Sequence, residues 1–259
     1  MNIFKEIKKK LEDLPAYPKL YLLGSTGAGK TSVVRSILGT MQDLFPTVSQ
    51  SRTTISTTEY VLSKDLKYKA TFVFKSKEEI TDSIKDVLTS AVLKVLTVKE
   101  QDEDFLDEII MEIEESSDER FRLKYILDTD LIQEIAQYII DAFIYTSSED
   151  IEEVLYLQST LAEIKYLADK VLQNIEKKVK VICVDYNLFE SDIYTIENIN
   201  TKDKFINSIK DILKNDINSI SPLIKYARIE GNLLASWLDT DTKLILIDGE
   251  GIGLSLIHI

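Results

Sequence analysis

The first readable feature of the chain is a short apolar run followed by a run with helical spacing. Residues 20–24, LYLLG, are apolar and end in glycine, which predicts a short buried strand. Over residues 31–38 apolar side chains recur at helical spacing, and Gly39 is well placed to end that helix. Residues 59–63 and 68–76 have the composition of strands joined by a polar turn, which predicts a hairpin.

Helical spacing dominates the middle of the chain. Apolar positions indicate helices over 78–96, 102–119, 130–143 and 148–175. Beyond them the pattern predicts a strand at 178–189, an amphipathic helix at 201–215, a strand at 221–231 and a buried strand at 244–247. This order predicts an α/β fold whose strands are interrupted by a large, mainly α-helical insert.

The pattern divides the chain into three segments. Residues 1–76 contain an N-terminal helix at 1–14, the glycine-rich loop and the hairpin. Residues 77–215 form the mainly helical insert, and residues 216–253 form a strand pair that belongs with the first segment. A second domain or a large insert in one domain are both compatible with this length.

Composition is typical of a globular protein, and the charge argues against two classes of partner. Of the 259 residues, 44% are hydrophobic and 29% charged. The net charge of -13 disfavours nucleic acid and anionic membranes, because both require a basic face. The single cysteine, Cys183, lies in an apolar run, and neither a signal peptide nor an apolar run of transmembrane length occurs. We therefore expect a cytoplasmic protein with a buried, inert thiol.

The strongest chemical signal is the glycine-rich loop, GSTGAGKT. It matches G-x4-G-K-[ST], in which glycines let backbone N–H groups surround phosphates, lysine neutralises charge and the hydroxyl ligates Mg2+. A chance match in a turn is the alternative, but the predicted strand before the loop and helix after it favour a phosphate-binding loop. The predicted nucleotide-binding residues are Gly24, Ser25, Thr26, Gly27, Ala28, Gly29, Lys30, Thr31 and Ser32. Lys30 is also a predicted catalytic residue.

A second Mg2+ contact is expected from an acidic residue at the end of a buried strand. Asp248, which follows the run LILI, meets this requirement, and Asp185 in VICVD competes with it. Asp248 is preferred because residues 248–251, DGEG, also match D-x-x-G. In that motif the aspartate holds the metal through water, and the N–H of Gly251 senses the γ-phosphate. A simple turn at the strand end is the alternative for either aspartate.

Together, GSTGAGKT, the threonine-rich segment RTTISTTEY at 52–60 and the DGEG turn resemble the Ras-like and dynamin-like GTPase superclass. The resemblance implies a P-loop NTPase core that binds GTP or ATP with Mg2+. It also implies that Thr54, or its neighbour Thr53, closes over the metal and the γ-phosphate. The implied metal ligands are then Thr31, Thr54 and Asp248. A solvated Ser/Thr loop is the alternative for residues 52–60.

The chain departs from the family pattern after DGEG. Ile252 occupies the place of the water-positioning glutamine, so hydrolysis requires another residue. Glu250 is the predicted catalytic carboxylate, as in many P-loop ATPases, with turn geometry as the alternative. The helical insert implies an effector domain or a self-assembly domain that moves with the switch loops. A GTPase-like switch is therefore the favoured interpretation, with a P-loop ATPase that uses Asp248 and Glu250, or a nucleotide-binding scaffold with little turnover, as the alternatives.

The base-reading motif and the end of the chain add one further expectation. In residues 201–204, TKDK, Lys204 stands where [NT]-K-x-D requires aspartate, so the guanine-reading motif is absent from that segment. Residues 254–259, LSLIHI, resemble the translation of a transposase end used in library preparation. We therefore expect a non-native tail, a foreign His258 and an N-terminal fragment with an incomplete Ras-like sheet. A genuine apolar terminal strand is the alternative.

Overall fold

The computed structural model describes residues 11, 13–25, 28–40, 45–46, 57–98, 104–115, 121–146, 151–214 and 219–249. Its strands are β1 (Lys19–Leu22), β2 (Thr57–Leu62), β3 (Tyr68–Phe74), β4 (Ile193–Ile199), β5 (Ile224–Gly231) and β6 (Leu244–Asp248). Its α-helices are α1 (Lys30–Leu38), α2 (Lys77–Thr97), α3 (Phe105–Glu114), α4 (Leu123–Ile126), α5 (Thr129–Phe143), α6 (Ile151–Tyr156), α7 (Gln158–Ile182) and α8 (Lys202–Leu213). A 3-10 turn, Ser221–Leu223, leads into β5.

The chain forms two compact units. Unit 1 comprises Met1–Lys75 and Ser191–Ile259, and unit 2 comprises Ser76–Glu190. Unit 1 contains every described strand, together with α1 and α8. The predicted insert, 77–215, extends past unit 2 at its C-terminal end, because β4 and α8 pack with the sheet of unit 1. The strand β4 was missed because its polar positions do not alternate regularly with its apolar ones.

Unit 1 is built on one mixed six-stranded sheet in the order β1-β6-β2-β5-β3-β4. β1 runs parallel to β6 and β2 runs parallel to β5, while the other neighbouring pairs are antiparallel. This confirms the α/β class predicted from the sequence.

The predicted hairpin of β2 and β3 is wrong, because β5 lies between these two strands. The connection from β2 to β3 passes over the end of β5, where the N–H of Ser63 donates to the carbonyl of Gly231 at 3.3 Å. Gly231 has φ +147°, and a Cβ there would lie 2.6 Å from Cδ1 of Tyr68. The glycine thus leaves room for the Tyr68 ring to cross.

β1 is the outermost strand of the described sheet, and its side chains are more exposed than predicted. Leu20 is 43% exposed and Tyr21 57% exposed. The apolar run correctly predicted a strand, but its burial was wrong, since β1 pairs on one side only among the described strands.

The two faces of the sheet have different coverings. We call the face that carries Tyr60 and Asp248 the helix face, because Thr31 of α1 bonds to Asp248 and Phe205 of α8 stacks on Tyr68 at 5.2 Å. The opposite face carries residues such as Val61, Val73 and Ile245, against which the leading segment packs through Leu11, Leu14 and Tyr17. Residues 11, 13 and 14 of the predicted helix at 1–14 are not helical, and the rest of that segment lies outside the described residues.

The end of α1 is fixed by Gly39, as predicted. Gly39 adopts a left-handed conformation with φ 62°, and its N–H donates to carbonyls of the last turn. Lys202 of α8 donates to the carbonyl of Leu38 at 2.6 Å. A Cβ at Gly39 would lie 3.0 Å from Cα of Ala235.

Gly39→Ala is therefore expected to lower the free energy of unfolding by about 1–3 kcal/mol, from left-handed strain plus the tight contact. Urea unfolding measures this loss. Ser36→Ala, at an exposed position of the same helix, is the control and is expected to be neutral or slightly stabilising. Equal stability of Gly39→Ala and wild type would contradict the role of Gly39.

Unit 2 is a helical unit in which α2 packs against α3, α5 and α7. α2 begins with a capping box, in which Ser76 and Glu79 bond each other's backbone N–H groups. None of the described helices combines the length and the apolarity needed to cross a lipid bilayer.

The predicted strand at 178–189 is wrong. α7 continues to Ile182, because Ile175, Val179 and Cys183 recur every four residues and are fully buried. Burial raises the pKa of Cys183 to about 12, so its thiol stays protonated, as expected for an inert cysteine. Asp185 lies in the turn after this helix with φ 60°, not at the end of a strand.

Candidate functional site

The loop between β1 and α1 ends in a glycine that starts the helix. Gly29 has a left-handed conformation, φ 82° and ψ 12°, and occupies the N-cap position without a side-chain cap. The first turn of α1 carries no acidic residue. The helix N-terminus therefore directs backbone N–H groups and its partial positive charge toward the loop, an arrangement that suits an anion.

Lys30 adds a full positive charge to this loop. Its ammonium donates to the carbonyl of Gly24 at 2.8 Å and to that of Ser25 at 3.0 Å. The N–H of Ala28 donates to the carbonyl of Ser25 at 3.2 Å, which closes the loop on itself. The lysine thus folds back over the loop that precedes it, where a bound phosphate would meet its charge.

Asp248 lies beside this loop because β1 and β6 are parallel. Leu22 and Asp248 are register partners, so the residues that follow β1 and the last residue of β6 share one edge of the sheet. There the Thr31 hydroxyl donates to Oδ2 of Asp248 at 3.3 Å. Thr31 and Asp248, two of the three residues predicted to hold the metal, are thus brought together from positions 217 residues apart in the chain.

The carboxylate of Asp248 is deeply buried and incompletely satisfied. The residue is 2% exposed, and its Oδ1 atom has no hydrogen-bond partner among the described residues. Burial raises the pKa of Asp248, although the Thr31 bond and the charge of Lys30 act in the opposite direction. A buried carboxylate with a free oxygen, next to a hydroxyl, fits a hard cation such as Mg2+.

Within the described ranges, no group of three or more His, Cys, Asp or Glu residues forms a metal cluster. Asp185, the competing candidate, belongs to unit 2 and lies in the turn after α7, not at the end of a strand.

The structure tests only part of the predicted residue set. Ser32 is exposed in the first turn of α1, and Gly249 follows β6. The predicted residues Thr26, Gly27, Thr53, Thr54, Glu250, Gly251 and Ile252 and the tail 254–259 lie outside the described residues. Lys204 lies in the first turn of α8, whose first residue, Lys202, donates to the carbonyls of Leu38 and Leu233. Lys202 thus joins the start of α8 to the end of α1.

Sequence reasoning missed two residues on the strand next to Asp248. Thr58 of β2 is the antiparallel register partner of Asp248, and Tyr60 is that of Leu246, two residues along. Both side chains are buried on the helix face, and burial followed by the charge of Asp248 raises the pKa of Tyr60. The pairing of β2 with β6 places these side chains at the site, and no local pattern contains that information.

The same edge of the sheet also carries both connections to unit 2. Strand directions place the carboxyl end of β3, Phe74, and the first residue of β4, Ile193, at the edge that holds Asp248. β6 and β3 are three strands apart, which corresponds to roughly 14 Å. The chain therefore leaves and re-enters the sheet of unit 1 at the edge that holds Asp248.

No protein-family model matches the chain, and no curated protein matches it either. The geometry of the site therefore carries the functional assignment.

Proposed function

We propose that unit 1 binds a purine nucleoside triphosphate together with Mg2+ and acts as a GTPase-like switch. One observation carries this proposal. The hydroxyl of Thr31 and the buried carboxylate of Asp248 lie 3.3 Å apart beside the Lys30 loop. A phosphate-binding loop needs a metal-binding hydroxyl and a strand-end carboxylate in this relation.

Each residue has a definite role in the proposal. Backbone N–H groups of Gly24 to Gly29 surround the phosphates. The ammonium of Lys30 gives up its hydrogen bonds to two loop carbonyls and donates to phosphate oxygens instead. Thr31 and Asp248 hold Mg2+, with Thr54 as a further ligand implied by the family resemblance. When bound, Mg2+ neutralises charge on the β- and γ-phosphates.

The proposal extends to turnover and to unit 2. Glu250 orients water, in place of the glutamine that Ile252 replaces, and Gly251 senses the γ-phosphate. Unit 2 then serves as an effector or assembly unit that responds to the nucleotide state. Single-turnover hydrolysis separates this switch from a scaffold that binds nucleotide without cleaving it, and competition between GTP and ATP separates a GTPase from an ATPase.

The decisive experiment is titration of the chain with a fluorescent guanine nucleoside triphosphate, with Mg2+ and with EDTA, followed by competition with unlabelled GTP and ATP. Lys30→Ala is expected to weaken binding about 10- to 100-fold, since a charge-assisted bond contributes about 1.5–3 kcal/mol.

The matched control is Lys19→Ala, an exposed lysine at the other end of β1, which is expected to leave the affinity unchanged. Unchanged binding by Lys30→Ala would overturn the phosphate-loop assignment.

A further inference from the structure

We propose that Thr58 is a positioning residue for the metal carboxylate, whose hydroxyl holds the Oδ1 atom of Asp248 directly or through one water. The inference rests on the proposed function. It concerns an oxygen that neither the phosphate loop nor the Thr31 bond accounts for. It also assigns a role to a residue outside the motifs of the sequence.

The first observation is the unsatisfied Oδ1 atom. Asp248 has one oxygen bonded to Thr31 and one without a partner in the described parts of the chain, in a residue that is 98% buried. A buried carboxylate oxygen that accepts no hydrogen bond destabilises the folded state. In addition, only the Thr31 bond to Oδ2 fixes the orientation of the carboxylate plane. A second donor on the free side would fix that plane.

The second observation is the register of β2. Thr58 stands directly opposite Asp248 in an antiparallel pair, so their Cβ atoms lie on the same face at about 4.5–5.5 Å. Thr58 is 6% exposed, so its hydroxyl is enclosed with the carboxylate and largely shielded from bulk water. Rotation about one side-chain bond brings a threonine hydroxyl toward such a neighbour.

The sheet offers two natural comparisons. Thr57, the preceding residue, is also a buried threonine of β2, but its register partner is Tyr226 and its side chain lies on the opposite face. Tyr60 shares the helix face with Thr58 but stands opposite Leu246, one pair further from the edge. Of the hydroxyl-bearing residues compared on β2, Thr58 is therefore the one that stands directly opposite Asp248 on the same face of the sheet.

The experiment measures the Mg2+ concentration that gives half-maximal binding of a fluorescent guanine nucleoside triphosphate by the full chain. Thr58→Val, which keeps the shape and the strand preference, is expected to raise that concentration about 10-fold, with affinity in EDTA unchanged. Thr58→Ser, which restores the hydroxyl, is expected to return it to within about 2-fold of wild type.

Thr57→Val is the control, and it is expected to match wild type. An unchanged Mg2+ requirement in Thr58→Val, or an equal rise in Thr57→Val, would overturn the inference while leaving the proposed function intact. Wild-type binding that does not respond to Mg2+ would overturn the proposed function and this inference together. Melting curves of all three variants verify that each is folded during the titration.

Discussion

Asp248→Asn is expected to raise the melting temperature of the metal-free protein and, at the same time, to abolish its response to Mg2+. The substitution removes a negative charge from a side chain that is 2% exposed. Relief of a buried charge contributes about 1–3 kcal/mol, or about 2 °C or more in melting temperature for a chain of this length. The amide oxygen still accepts from Thr31 but no longer provides a charged metal ligand.

The pH dependence of this effect has a defined sign. Burial raises the pKa of Asp248 in the folded state, so ionisation opposes folding. The penalty is absent below the unfolded pKa of about 3.9 and grows as pH rises through the folded pKa. The difference in melting temperature between Asp248→Asn and wild type is therefore expected to be small near pH 4 and largest near neutral pH.

Thermal scans in EDTA from about pH 4 to pH 8, followed by titration with Mg2+ and nucleotide, measure both effects. Asp241→Asn is a control of opposite sign, because a side-chain bond to Lys64 lowers the pKa of this exposed carboxyl. Its stability should be unchanged or slightly reduced. A lower melting temperature for Asp248→Asn than for wild type at pH 7, or a difference that does not change with pH, would contradict a buried carboxylate whose ionisation opposes folding.

Local signals in the sequence were enough to predict β1, α1 and the glycine that begins α1. The glycine-rich loop, the helical spacing of 31–38 and the helix stop at Gly39 are properties of a few neighbouring residues. β5 and β6 were predicted in the same way, since an apolar run bounded by turn residues can be recognised without knowing its distant partner. The position of Asp248 at a strand end was predicted because it directly follows the apolar run of β6.

Features that depend on pairing between distant segments could not be predicted in the same way. The alternation of 59–63 and 68–76 is compatible with a hairpin, and only the insertion of β5 between them shows otherwise. In residues 178–189, the alternation of valine and lysine favours a strand when it is considered alone. The four-residue spacing of Ile175, Val179 and Cys183 instead continues the preceding helix. Partners such as Thr58 for Asp248 exist only once the sheet is assembled.

The sheet also contains a buried ionic cluster that the sequence did not indicate. On the opposite face, Arg228 of β5 lies 3.4 Å from the carboxylate of its register partner Glu59 on β2. The hydroxyl of Tyr226 donates to the same carboxylate oxygen, and Nε of Arg228 donates to that hydroxyl at 3.3 Å. Burial and the bond to Glu59 raise the pKa of Tyr226, so the phenol stays a donor. The cluster links β2 to β5 on the face of the sheet opposite to that of Thr58.

Arg228→Met is expected to lower the free energy of unfolding by about 3–5 kcal/mol, because it leaves the carboxylate of Glu59 buried without its counter-charge. Glu59 is 2% exposed and Arg228 4%, so solvent cannot replace the lost partner. That loss is a large share of the 5–15 kcal/mol typical of a folded protein.

The double variant Glu59→Leu/Arg228→Met is expected to recover part of the loss, because an apolar pair of similar volume carries no unpaired charge, while the buried Tyr226 hydroxyl loses its acceptor. Urea unfolding of the wild type, the single variant and the double variant measures both steps. Lys64→Met, which removes an exposed ion pair with Asp241, is the control and should unfold like wild type. If the double variant were no more stable than Arg228→Met, lost packing rather than an uncompensated charge would explain the effect.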